Sequence, residues 1–586
     1  MKKIIVLLCI LVFPAISNAA CGGSSPTLTA ASAERDDVAA CFAIATHGDT
    51  INIPAGEATW DEPISFVMNL TIKGAGKTAT VLTENFTGAS STNYMAFFKF
   101  TPDATARSNI DNLTDDTAIF EISDIGFVGA IRSYIHGVLI YNQNETAIRR
   151  VRIHDNAYTK LIYATYPVGD VFGVFDNNTL DRTRMAYYLG NEQSSWNNNR
   201  TSLGGPDAWY MEDNVSSTEN GYPGNLFGGG HALSVVARYN QTTGVMGNAN
   251  YYWENHGNQK GNIYGTQIVE VYGNDLACVH YQAGKAAVNR GGKTIAAYNR
   301  MGAQYAIISL WEEYSDEYSG TTTTLPAVFT INDTYYINNR KISNATLATL
   351  PIGYDCHDRT AIPKGSQCYS IETTIYGNTT QELVENREYF NHKDLATFQA
   401  NPNEGVTCGT AEQMNALTPT TVGVGFWVPT DIAEQPCTSV SSNNVGTNPK
   451  TKLDGTLYKW GGDSWEEFWT PYEYPHPLRG ETPPDPEEGP WLVSVGGDAG
   501  CYFVPHNPAY VEDGLTTEVG VYAATNYSVA TVSGCGGTWG GEGTYTTAAV
   551  TGDCEVACTS KKLSPDTAIG SGAAVKFGVG AGAIVR

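Results

Sequence analysis

The chain has 586 residues, with 35 Lys and Arg against 60 Asp and Glu, a formal net charge of −25. A surface this acidic argues against nucleic acid and anionic membranes as partners, which need a basic one. Glycine (61) and tyrosine (34) are abundant and charged residues make up only 16%, a composition that favours an extended β protein over a helical one.

The first residues, "MKKIIVLLCILVFPAISNAA", put two lysines before an apolar run that ends in small residues. They read as a secretory signal peptide over 1–19, cut after Ala19. The run is too short for a membrane anchor. Asn18 stands where lipidation of Cys21 would need an aliphatic residue. No later stretch is long and apolar enough for a transmembrane segment, so the mature chain is expected to be secreted or held at the cell surface. Of 12 cysteines, Cys9 leaves with the signal. In an oxidising compartment, proximity pairs Cys21 with Cys41, Cys356 with Cys368, Cys408 with Cys437, Cys535 with Cys554 and Cys501 with Cys558. Cys278 is then single. No close CxxC motif is present, so zinc is not expected.

Between residues 50 and 400 no convincing amphipathic helix appears. Short strands recur, each closing on an asparagine: "VRIHDN", "GVFDNN", "WYMEDN", "VVARYN", "VEVYGN" and "TIAAYN", ending at Asn156, Asn178, Asn214, Asn240, Asn274 and Asn299. "TTIYGN", ending at Asn378, continues the set. A steady minimum spacing with longer excursions is the pattern of a solenoid whose loops bulge from some coils. Three places before the asparagine stand Ile153, Phe175, Met211, Ala237, Val271 and Ala296, an inward column. Two places before it stand His154, Asp176, Glu212, Arg238 and Tyr272. Strand side chains alternate, so these are expected to form a solvent-facing ladder, joined by Arg152, Tyr210 and Glu270. The asparagines are expected to turn the chain and to bond amide to amide between coils.

"GDTINIPAGEATW" (48–60), then "NLTIKGAGKTATVLT", resembles the entry to right-handed parallel β-helices of the pectate-lyase-like superfamily, and the Asn-ended strands are similar to that family's rungs. "ENREYF" and "TPYEYPHPLRG" resemble closing segments of exported bacterial β-helix proteins. The resemblance covers about residues 36–480 and implies a single-stranded right-handed parallel β-helix. It does not imply one activity, because the superfamily holds lyases, hydrolases, epimerases, adhesins and phage proteins. The polygalacturonase-like motifs are present only as fragments, "RIH" at Arg152 and "GGGH" at His231. The calcium carboxylates and catalytic arginine of pectate lyases have no matching motif.

The fold reading therefore takes 20–480 as the β-helix, 481–491 as a Pro- and acid-rich linker, 492–560 as a small β-repeat module and 561–586 as a partial second repeat. The segment "GCGGTWGGEGTYTTAAVTGDCEVA" resembles small all-β repeats at the C-termini of bacterial extracellular proteins. Such a module would attach the chain to a cell surface or a glycan, or act as a spacer.

A lyase of uronate-containing glycans needs a cation for the carboxylate, a base for the neighbouring proton and an acid for the leaving oxygen. Cations, a histidine and tyrosines concentrate around "WENHG" (253–257) and "NRGGK" (289–293). The lyase assignment gives Arg238 or Arg290 the carboxylate, His256 the proton, Glu270 the orienting of a cation, and Tyr272 or Tyr281 the leaving group, with Lys293 beside them. Each also has a structural reading, such as an ion pair between Arg238 and Glu270. A hydrolase would instead pair the carboxylates of Asp176 and Glu212. Trp196, Trp209 and Tyr210, on the insertion between those coils, would stack on sugar rings. A third reading is a non-catalytic adhesin. Calcium stays open as a cofactor, the expected partner is an acidic polysaccharide, and the chain is expected to be a monomer.

Overall fold

The structure is a computed structural model. It describes residues 20–90, 93–110, 120–130, 134–142, 144, 146–190, 201–218, 226–230, 232–246, 252–257, 265–276, 279–280, 287–301, 308–310, 331–343, 346–349, 352–354, 384–430 and 453–480. Beyond these it describes 491–498, 500–504, 509–511, 516–523, 527–539, 543–552 and 554–562. The chain divides into two compact units, Met1–Gly480 and Glu481–Arg586.

The first unit is a parallel β-helix. Among the described residues its strands stack into sheets of 13, 12 and 10 strands, and each coil gives one strand to each sheet in turn. One coil runs Val171–Asp176, Thr179–Asp181, Arg184–Leu189; the next runs Trp209–Glu212, Val215–Thr218, Phe227–Gly230. Coil-to-coil register is parallel and in step, with Phe175 opposite Met211 and Met211 opposite Ala237. The inward column Ile153, Phe175, Met211, Ala237, Val271 and Ala296 lies in one apolar core that continues through the unit. Two short helices, Ala104–Ile110 and Leu395–Ala400, fall in the stretch read as helix-free.

The asparagines form a buried ladder. The backbone N–H of Asn156 donates to Oδ1 of Asn178 at 3.0 Å, and the step repeats from Asn178 to Asn214 (2.9 Å), Asn214 to Asn240 (3.1 Å), Asn240 to Asn274 (2.9 Å) and Asn274 to Asn299 (3.1 Å). It ends on Asn339, at 3.2 Å from Asn299. Asn378, proposed from sequence as the next rung, lies outside the described residues. The bend itself is made by the residue before each asparagine. Asp155, Asn177, Asp213, Tyr239, Tyr298 and Asn338 all hold positive φ between 51° and 59°, and Gly273 holds 65°. A left-handed residue costs about 1–2 kcal/mol for a side chain with a Cβ, and the amide ladder offsets it.

At the N-terminal end, the helix Arg35–Phe42 buries Val38, Cys41 and Phe42 and is tied down by the Cys21–Cys41 disulfide. The second unit carries two four-stranded sheets, a core around Val493, Val521 and Val556, and disulfides Cys501–Cys558 and Cys535–Cys554. Three of the expected pairs are thus present. Cys408 is disulfide-bonded too; Cys278, Cys356, Cys368 and Cys437 lie outside the described residues. No helix among the described residues is long and apolar enough to cross a membrane, and residues 1–19 are not among them.

Asn240 Nδ2 donates to Met211 O, Arg238 O and Asn274 Oδ1. Asn240→Ala strands those acceptors and the donors of Asn214, so it should destabilise the first unit by about 2–4 kcal/mol. Chemical denaturation followed by tryptophan fluorescence reads the change.

Candidate functional site

Most of the ladder expected to face solvent is buried; Arg152 and His154 keep partial exposure. The outer face of the 13-stranded sheet is a second apolar core, covered by residues 384–430 and 453–480. Four strands, Val406–Cys408, Gly425–Pro429, Gly455–Trp460 and Trp465–Trp469, form a small sheet, and residues 470–480 run back along the coils. Trp469 Nε1 donates to Glu270 Oε2 at 2.9 Å, and Tyr474 Oη reaches Asp213 at 2.8 Å. The backbone N–H of His476 donates to Glu212 Oε2 at 3.1 Å, and Arg479 O accepts from Arg152 at 2.8 Å. This aromatic segment lies along the side of the coils.

Under this strap three arginines pair with Asp176, Glu212 and Asp213. Arg152 pairs with Asp176 at 2.8 Å. Arg238 donates to Glu212 through Nε at 2.8 Å, to Tyr272 Oη at 2.9 Å and to the carbonyl oxygens of Tyr472 and Glu473. Arg479 pairs with Glu212 and Asp213. Asp176, Glu212, Arg238, Glu270, Tyr210 and Tyr272 are all at most 1% exposed. Burial pushes the Glu270 carboxyl up to about 7, against the hydrogen bonds from Gly204 N–H and Trp469. The correction to the exposed-face expectation has a physical cause. Alternation sets which side of a strand a residue faces, and it does not reveal that a segment about 200 residues later lies on that side. Trp209 points into the main core. Lys293 remains partly exposed and pairs with Asp333 at 3.3 Å. Trp196 and Tyr281 lie outside the described residues.

The ten-stranded sheet carries a separate group of polar side chains. Glu254, His256 and Arg290 meet at the ends of the strands Trp253–Asn255 and Ala287–Asn289, which pair through Asn255 and Asn289. Arg290 ion-pairs with Glu254 and lies 3.1 Å from His256 Nδ1. A guanidinium only donates, so Nδ1 accepts and the ring proton sits on Nε2. The Nδ1 that accepts from Arg290 is therefore not available as a base. Arg238 belongs to the other sheet and does not join this group.

Beside the group runs Phe227–Gly230, "FGGG", whose glycines leave the outer face without side chains. Tyr187 is paired with Gly228 on one coil, and Gly228 with Glu254 on the next. Two coil steps, roughly 10 Å, therefore separate Tyr187 from Glu254. A Cβ on Gly228 would lie 3.3 Å from the Tyr187 ring. Burial pushes the Tyr187 phenol up, and Tyr163 and the Glu254 charge add to it. Arg184 donates to Tyr163 Oη at 2.7 Å and lies over its ring. Tyr163, Arg184 and His136 were not singled out from sequence. One signal was available: "YATYPVG" and "RMAYYLG" align Tyr163 with Arg184, Tyr166 with Tyr187 and Gly169 with Gly190, the register the coils adopt. Among the described residues no group of three or more His, Cys, Asp or Glu is placed to hold a metal ion.

No family model matches the chain, and no curated protein matches it. Among solved structures it is similar to an alginate lyase from Paenibacillus sp., at 12% identity over 56% of this chain and 97% of that one, with a TM-score of 0.32. It is similar to ORF18 of Geobacillus virus E2, at 12% identity over 54% of this chain and 58% of that one, TM-score 0.25. It is also similar to the A-module of the Azotobacter vinelandii mannuronan C-5 epimerase AlgE4, at 15% identity over 52% and 91%, TM-score 0.22.

Arg238→Met leaves Glu212 buried without its main partner and should cost about 3–5 kcal/mol, read as a lower thermal midpoint. His154 supplies a pH test. Burial lowers its pKa, but hydrogen bonds to Asp155 and Glu121, each 2.6 Å long, raise it to about 9. Its folded pKa lies above the unfolded value, so its contribution is complete below about pH 6.5 and is lost as pH rises through 9. His154→Gln should flatten the stability profile over that interval.

Proposed function

We propose that the chain is an exported polysaccharide lyase that cleaves uronate-containing glycans by β-elimination, with its site on the outer face of the ten-stranded sheet. The observation that carries this reading is the placing of Tyr187 and Glu254 on either side of the Gly228 floor, with Arg290 and His256 beside Glu254. The reading requires a pyranose ring to lie between them, with the Tyr187 ring at its edge over Gly228. Arg290 and the Nε2–H of His256 take the uronate carboxylate, which acidifies the adjacent C5–H. Glu254 accepts that proton. The C5–H electron pair forms the C4–C5 double bond as the C4–O bond breaks, and Tyr187 donates its phenolic proton to the leaving oxygen. Asp176 and Glu212 suit a hydrolase poorly, since both are fully buried and held by arginines.

Tyr187→Phe and Glu254→Gln should each lower kcat by about 10²–10⁴ and leave the thermal midpoint close to the parent's. The assay follows ultraviolet absorbance of the new double bond together with new reducing ends on acidic polysaccharides. Reducing ends without absorbance would replace the lyase by a hydrolase. Binding without either product would make the face an adhesin's.

A further inference from the structure

A second group on the same sheet plays no part in that chemistry. His136 stands on the strand Ile135–Asn142, opposite Ala96 and Tyr163 on the neighbouring coils. Its ring stacks on Tyr166 at 4.7 Å and on Tyr163 at 5.7 Å, and Tyr94 tilts against it at 5.9 Å. Tyr166 and Tyr94 belong outside the main core, in a small cluster with Ala96, Leu139 and Tyr187. His136 is 2% exposed, and among the described residues neither ring nitrogen has a hydrogen-bond partner. Two unpaired polar atoms at that depth cost about 1–3 kcal/mol each. Buried polar groups in folded proteins are nearly always paired, so an orphan of this kind calls for a partner. Burial alone pulls the imidazole down to about 3, so at neutral pH it is uncharged. A neutral imidazole offers one donor and one acceptor, and the tyrosine faces around it offer stacking surfaces. That combination suits hydroxyl groups on a sugar ring. It does not suit a carboxylate, which can only accept.

We infer that His136, with Tyr94, Tyr163 and Tyr166, forms a subsite for a neutral sugar unit, so the glycan that fits the face alternates uronate with uncharged sugar. This rests on the proposed site at Glu254 and Arg290, about four coils further along the helix. Both ring nitrogens are covered in the free chain, so the neutral unit reaches them by displacing the Tyr94 ring, beside the partly exposed Tyr134.

Affinity electrophoresis of the full chain tests the inference. The probes are two homopolyuronates, polygalacturonate and polymannuronate, and two alternating glycans, rhamnogalacturonan backbone and a glucuronate–rhamnose polymer. At least one alternating glycan should retard the parent about tenfold more strongly than either homopolyuronate, the effect of one well-made hydrogen-bond pair. His136→Phe should remove that preference and raise the thermal midpoint, because it replaces an unpaired polar group with an apolar one; a structural role for the imidazole would lower the midpoint instead. Tyr94→Ala, at the rim, should reduce the preference without disturbing the coils. Equal or stronger retardation by homopolyuronates, no retardation by either alternating glycan, or an unchanged preference in both variants would overturn the subsite. Retardation by an alternating glycan without an unsaturated product would keep the subsite and remove the lyase.

Discussion

Everything in the first unit depends on the stacking of one coil on the next, and the constraint that fixes it is the pairing of buried asparagine amides. Each asparagine has a donor and an acceptor on its side chain, and burial forbids leaving either unpaired. The ladder satisfies both only if successive coils keep one step and one register. That requirement holds the preceding residue in a left-handed bend even where it is a tyrosine. It also lets loops of different length leave other corners of the coil, because the ladder corner does not move. A scaffold held at one corner can vary its other two without losing its register.

The two outer faces rich in functional groups meet opposite fates. On the 13-stranded sheet, charges are withdrawn from water and neutralised pair by pair beneath the strap. Such a network contributes little net stability over an apolar one, but a single missing partner is costly, so it acts as a fit test for the strap. On the ten-stranded sheet, glycines clear a floor between phenols and a cation–imidazole–carboxylate group.

Sequence made the coil and its inward column legible because the asparagine recurs at a fixed place in each strand, and the apolar residue three before it follows from alternation. It misplaced Asp176, Glu212, Arg238 and Tyr272 because their neighbours include residues 469–479, and period-2 reasoning carries no information about contacts so far along the chain. Arg290 and His256 were noticed through local basicity in an acidic chain, and they do touch. His136 was invisible for a simple reason: its burial is created by tyrosines on two other coils, Tyr94 and Tyr163, and a lone histidine in "YIHGVL" carries no pattern of its own.

The strap also sets an order of events during synthesis. Coils can stack as they emerge, since each needs only its predecessor. The outer side of the coils from Arg152 to Tyr272 cannot be finished in that way, because Arg238 waits for the carbonyls of Tyr472 and Glu473, and Arg152 for that of Arg479. For the time it takes to deliver some 200 further residues, half-built charge pairs and an apolar sheet face stand open. A chain of this design closes last at the strap, so that residues 470–480 lock what the earlier coils built.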